Sequence, residues 1–304
     1  MASEEFHRVV ESIRQVMGSL GNQPVHIDIA AMRSTLDMTT SMMPMPETAK
    51  VIAVDASGVP SQWVYDPDTS DDFRLLYLHG GAYVAGGFAS HGALAARLSK
   101  ASGCAVLMAD YRLAPEHLFP AAVDDALTSF RWMSENSPIG PGPASRTFIA
   151  GDSAGGGLTL ATLLALRDAG GSLPNAAVTL SAWTDLALTG ESLQTQAAVD
   201  PMIDPRLMPE APSLYLGPVD PKTPLASPLY GDPTGLPPLL LQVGDAEVLL
   251  SDTTRFAKNA EAAGVDVTLE IWPEMFHVWQ IMAPLFPEAQ KAIDRIGEFI
   301  RLHQ

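Results

Sequence analysis

The chain has 304 residues, 47% of them hydrophobic, and sets 18 Lys and Arg against 35 Asp and Glu for a formal charge of −17. That balance excludes a nucleic-acid partner, because neutralising phosphates needs clustered basic side chains; otherwise it speaks for a soluble, self-repelling molecule. A single cysteine, Cys104, excludes an intrachain disulfide and reads as a buried core residue within the run CAVLMAD.

In chain order, residues 4–20 place Phe6, Val9, Val10, Ile13, Val16, Met17 and Leu20 at helical spacing. The helix starts acidic and lacks the basic n-region and apolar h-region of a signal peptide. No uncharged stretch is long enough to span a bilayer, so membrane insertion is not expected and the cytoplasm is the expected location. A second helix or loop over 26–40 ends at the prolines of SMMPMPE.

Short strand-like runs follow at AKVIAVDA, SQWVYD, FRLLYLHG, CAVLMADY, TFIAG, AAVTLSAW, PLLLQVG and VDVTLEIW. Helical patterns at about 90–101, 121–135, 155–168, 252–263 and 285–302 lie between the later runs and after the last. Adjacent early strands followed by β–α alternation predict an α/β fold, a mostly parallel central sheet flanked by helices. Residues 186–224, rich in Pro, Met, Asp and Leu, break the rhythm between two strands. An insertion there falls at the C-terminal edge of the sheet, where open α/β folds bind ligands. The expected division is therefore an N-terminal part of a helical cap at 1–45, a core at 46–185 and 225–304, and a cap insertion at 186–224.

The chemistry centres on TFIAGDSAGGGLTLATLLALR, a strand, a glycine-flanked serine and a helix. Ser153 between Gly151 and Gly155 fits the G-x-S-x-G nucleophile elbow of α/β-hydrolases. A sharp strand-to-helix turn brings the flanking positions together, so glycine is required at both. The helix N-terminus beyond Ser153 aims free N–H groups at the reaction zone. A serine hydroxyl needs a base. His7, His26 and His303 lie in terminal segments, His91 opens a surface helix, His117 sits in a turn, and His79 heads HGGA as a loop-shaping residue. His277, after the last strand and downstream of the serine, fits the required order.

The acid must follow a strand end to orient the imidazole, which leaves Glu247 and Asp245 open. Asp252 belongs to the first turn of the next helix, complementing its dipole. YLHGGAYVAGG, directly after a strand, offers backbone donors for a developing oxyanion, with Ala154 supplying another.

HGGA at 79–82, DYRLAPEHLFPAAVDDA at 110–126, GDSAGG at 151–156, SAWTDL at 181–186, LASPLYGD at 225–232 and the EMFHVW loop recur in order along nearly the whole chain. In this the chain resembles the bacterial hormone-sensitive-lipase family of esterases, within it the monoterpene ε-lactone hydrolase and short-chain carboxylesterase branch. The resemblance implies an α/β-hydrolase fold with a helical cap, Ser153 as nucleophile and His277 as base. It also implies Gly80, Gly81 and Ala82 as the oxyanion loop and, by the family's spacing of about thirty residues before the histidine, Glu247 as acid. Many relatives have D-P-x-x-D where E-V-L-L-S stands at 247–251, and H-G-G-G where Ala82 stands fourth. Asp110 and Arg112 resemble a scaffold beneath the site. Tyr83, Trp183, Met202, Leu207, Tyr215, Leu249, Val278 and Trp279 are candidates for an apolar pocket.

The expected activity is hydrolysis of small to medium apolar esters or lactones through an acyl-enzyme, with no metal and no organic cofactor. The expected partner is a small-molecule ester, and the resemblance makes a homodimer one assembly to test. Rivals are an amidase or acyltransferase with the same triad, and a non-catalytic receptor on the same scaffold. Receptors resembling this family have lost the catalytic histidine, and His277 argues against that reading.

Overall fold

A computed structural model describes residues 2–19, 26–41 and 43–304. In chain order the strands are β1 (Lys50–Asp55), β2 (Pro60–Tyr65), β3 (Ser70–Leu78), β4 (Cys104–Ala109), β5 (Asn136–Ser137), β6 (Gly140–Pro141), β7 (Arg146–Asp152), β8 (Ala176–Leu180), β9 (Leu239–Gly244) and β10 (Val267–Trp272). The helices are α1 (Glu4–Ser19), α2 (Ile29–Ser41), α3 (Phe88–Ser102), α4 (Ala121–Glu135), α5 (Ser153–Asp168), α6 (Ser192–Thr195), α7 (Ala211–Leu216), α8 (Leu250–Ala262) and α9 (Pro287–Leu302). None of the described helices is long and apolar enough to cross a membrane.

Eight strands form one sheet in the order β1-β2-β4-β3-β7-β8-β9-β10. β2 pairs antiparallel with β1 and β4. From β4 onward every neighbouring pair is parallel. This is the mostly parallel sheet expected from the order of apolar runs, and it agrees with the α/β-hydrolase fold that the resemblance implies. The runs CAVLMA, AAVTL and LLLQVG are buried at every residue, because a parallel strand with helices on both faces has no solvent side. Along β3 the alternation of side chains divides the core: Leu76 and Leu78 pack with α4, α5 and α8, while Leu75 and Tyr77 pack with α3 and α9.

Each of the eight strands of the main sheet falls on one of the expected runs, β2, β3 and β7 extending past theirs by one to three residues, and the small β5–β6 hairpin was not legible from periodicity. The second helix starts at Ile29 rather than 26. Leu20, assigned by spacing to the first helix, lies outside the described residues. The segment 186–224 is not bare loop, since it carries α6 and α7. Arg112 ties its backbone N–H and its guanidinium to Asp125 of α4, at 2.8 and 2.7 Å. Asp110, expected to share that lock, takes no part in the pair.

Because β7, β8, β9 and β10 run parallel, their C-terminal ends line one edge of the sheet. Ser153, Ser181, Glu247 and His277 all follow those ends, at the position where this class of fold collects its reactive groups.

Candidate active site

Ser153 is the first residue of α5 and has φ of 51°. A left-handed non-glycine residue at a strand–helix junction is strained, and the surroundings enforce it. A Cβ at Gly151 would overlap the carbonyl of Gly155, and a Cβ at Gly155 would overlap the carbonyls of Leu78 and His79. The two glycines therefore let the start of α5 press against the end of β3, and the serine is turned out of both elements.

Asp152, one residue earlier, is 2% exposed and anchors the elbow from below. Its Oδ1 accepts the Tyr77 hydroxyl at 2.6 Å and the Gly80 N–H at 3.0 Å, and its Oδ2 lies 3.3 Å from His91 Nε2. Burial would raise its pKa, but the charge and hydrogen bond of His91, the Tyr77 hydroxyl and His79 hold it below the ordinary value. His91 is thus no surface residue: it is buried, and Ser90 Oγ sits 2.7 Å from its Nδ1. The same contact corrects the oxyanion loop. Gly80 gives its N–H to Asp152 and so is not a donor to substrate. Among the described residues the N–H groups of Gly81, Ala82 and Ala154 have no protein acceptor.

Ala82 and Tyr83 are both left-handed, with φ of 55° and 63°, so this turn presents successive amides in one direction. His79 stacks on Tyr111 at 4.3 Å and its Nδ1 lies 2.8 Å from the Gly80 carbonyl. Burial, with His91 beside it, pushes the His79 pKa down to about 4. It is a neutral shaping residue, as expected.

Glu247 is fully buried and completely engaged. Oε1 lies 3.2 Å from His277 Nδ1, while Oε2 accepts the Ser181 hydroxyl at 2.7 Å and the Gly244 N–H at 3.0 Å. Ser181 in turn accepts the Val278 N–H at 3.0 Å, so one hydroxyl holds both the acid and the histidine loop. With Nδ1 occupied by the carboxylate, Nε2 is the nitrogen left to act as base. Burial would lower the His277 pKa; the Glu247 hydrogen bond, followed by the charges of Glu247, Asp200 and Asp152, outweighs it and leaves the value above that of a free imidazole. Asp245 does something else: its Oδ1 accepts the Glu274 N–H at 2.6 Å, pinning the loop before His277.

Asp252 departs from its expected role. It sits in the first turn of α8, but Oδ2 accepts the N–H groups of Thr184 and Asp185 at 2.9 Å each. Burial and the neighbouring Asp185 charge push its pKa up to about 8. Of the expected pocket residues, Tyr83, Trp183, Tyr215 and Leu249 share one buried cluster, with the rings of Tyr83 and Tyr215 stacked at 3.8 Å. Met202 packs on the opposite cluster, as does the buried Trp279, and Leu207 joins neither. Val278 is buried beside His277 with φ of 51°.

Sequence reasoning missed Ser181, Asp200 and the role of His91. The serine of SAWTDL, at a strand end one strand away from the elbow, was the one available signal.

A family model described as an α/β hydrolase fold matches residues 75–281. An acetyl-hydrolase of Streptomyces hygroscopicus is 48% identical over 241 residues, covering 79% of each chain. The crystal structure of an esterase from the bacterial hormone-sensitive lipase family superposes with a TM-score of 0.91 at 43% identity, covering 100% of this chain and 99% of that one. The esterase EstE5, solved after soaking with p-nitrophenyl butyrate, gives a TM-score of 0.90 at 37% identity and covers 99% of each.

Proposed function

This chain belongs to the bacterial hormone-sensitive-lipase family of α/β-hydrolases and is a carboxylic ester hydrolase; from that premise we propose a serine-based acyl-enzyme mechanism on small to medium apolar esters. The observation that carries it is the buried Glu247 carboxylate on His277 Nδ1, on the same edge of the sheet as the left-handed Ser153. Ser153 Oγ attacks the ester carbonyl carbon as His277 Nε2 takes its proton. The carbonyl oxygen becomes an oxyanion received by the amides of Gly81, Ala82 and Ala154. As the tetrahedral species collapses, the C–O bond to the alcohol breaks and His277 returns the proton to the departing oxygen. Water then attacks the acyl-serine, giving its proton to His277, and the carboxylic acid leaves as Oγ is reprotonated.

Glu247 orients the ring and stabilises the imidazolium without itself being protonated. Residues 186–224, with the N-terminal helices, act as a cap over this edge, and the cluster of Tyr83, Trp183, Tyr215 and Leu249 borders the acyl site. An aromatic border of that kind suits short acyl chains such as butyrate, the ester used with EstE5, and small lactones fall within the same class. Ser153→Ala tests the reading. Hydrolysis of p-nitrophenyl butyrate is expected to fall by about 10⁴-fold or more with the far-ultraviolet circular dichroism unchanged, and turnover at the wild-type rate would reject the mechanism.

A further inference from the structure

Asp200 belongs to the segment between β8 and β9, yet its carboxylate reaches the turn that carries the acid. Oδ1 accepts the N–H groups of Met202 at 2.8 Å and Ile203 at 3.1 Å; Oδ2 accepts the N–H of Val248, the residue after Glu247, at 2.9 Å. Three amides hold this carboxylate, and no Lys or Arg pairs with it among the described residues. We propose that Asp200 is a positioning residue for the hydrolysis, fastening the Glu247 turn to the 186–224 segment and adding to the negative charge that acts on the His277 imidazole.

A carboxylate bound by backbone N–H groups makes stronger bonds than a neutral acceptor would, so the junction between segment and turn resists displacement. The charged groups facing His277 are Glu247 from the turn after β9, Asp200 from the segment and Asp152 from the end of β7; all three favour the imidazolium. Asp200 is raised by burial and by Glu247, against His277 and the amides of Val248 and Met202. The imidazolium formed when Ser153 gives up its proton is therefore favoured by three carboxylates, only one of which touches a ring nitrogen.

The inference rests on His277 as base. Failure of that reading would appear as turnover surviving Ser153→Ala, whereas failure of this one appears in the pH profile alone. The test compares kcat/KM for p-nitrophenyl butyrate from pH 5 to 9 in wild type, Asp200→Asn, Asp200→Glu and Asp204→Asn. Asp204 serves as control because its carboxylate is held by Arg206 alone.

In Asp200→Asn the acid limb is expected to move to lower pH by roughly half a unit or more, and kcat to fall about tenfold. The asparagine NH₂ faces an amide donor on one side, which leaves one junction bond unmade. Asp200→Glu keeps the charge and is expected to hold the limb in place while kcat falls. Asp204→Asn is expected to change neither. An acid limb that stays put in Asp200→Asn, with activity lost only in step with Tm, overturns the proposal. Should Asp200→Asn yield no folded protein, Asp200→Glu decides: a displaced limb there overturns it equally.

Discussion

The elbow at Ser153 and the segment between β8 and β9 border the same site and are held by different forces. At the elbow, backbone meets backbone: Gly151 and Gly155 sit against carbonyls with no room for a methyl group, and Asp152 is buried in a polar network. The segment is fastened by side chains reaching main-chain amides, Asp252 to Thr184 and Asp185 at its base and Asp200 to Val248 further along. Ile27 N–H on Glu210 adds a tie to the N-terminal region at 3.1 Å. The elbow accordingly allows almost no sequence change, because the obstacle is main chain. The segment is held by side chains, its fastening carboxylates together with buried residues such as Ser192 and Tyr215, and its exposed positions leave more room for change.

Gly155→Ala tests the rigid side most severely. Its Cβ would overlap two carbonyls, and a loss of more than about 3 kcal/mol is expected, read as vanishing soluble yield or a Tm depressed by ten degrees or more; a normal Tm would break the contrast. Next in size is Glu247→Gln, expected to lower kcat by about 10³–10⁴-fold. Asp245→Asn, which touches only the Glu274 amide, is expected to cost tenfold or less in the same assay, and the reverse ranking would transfer the acid role to Asp245.

Asp252→Asn probes the fastening of the segment. The folded pKa of Asp252 lies above its unfolded value, so its contribution to stability is complete below pH 4 and fades as pH rises towards about 8. The variant cannot ionise, so its Tm relative to wild type is expected to climb between pH 5 and 9, and a constant difference would contradict the raised pKa. The smallest effect is expected from Leu207→Ala, which joins neither core cluster: KM for acyl chains of different length shifts by about threefold while kcat holds. A large fall in kcat there would show that the segment is part of the chemical machinery throughout.

Legibility followed the same division. Ser153, His277 and the eight strands could be read because each is announced locally, by glycine spacing or by an apolar run ending in a loop. Glu247 and Asp245 stand two residues apart after one strand, and only geometry separates a carboxylate facing the imidazole from one facing the Glu274 amide. His91 looked like a surface residue because its helix is barely amphipathic and its partner Asp152 lies 61 positions away. Gly80 looked like an oxyanion donor because an exposed N–H and one already given to Asp152 read alike in the sequence. Polar pairing between loops depends on where distant strands end, and periodicity carries no information about that.

The strand order also separates the reacting groups along the chain. Ser153 precedes the 186–224 segment, while Glu247 and His277 follow it, and β8 and β9 become neighbours only when both sides are present. A chain interrupted between residues 153 and 277 holds Ser153 without His277. During synthesis Ser153 is therefore made more than a hundred residues ahead of His277, and on the proposed mechanism a chain still short of that residue lacks the base. On that mechanism the constellation is complete only with the final tenth of the polypeptide.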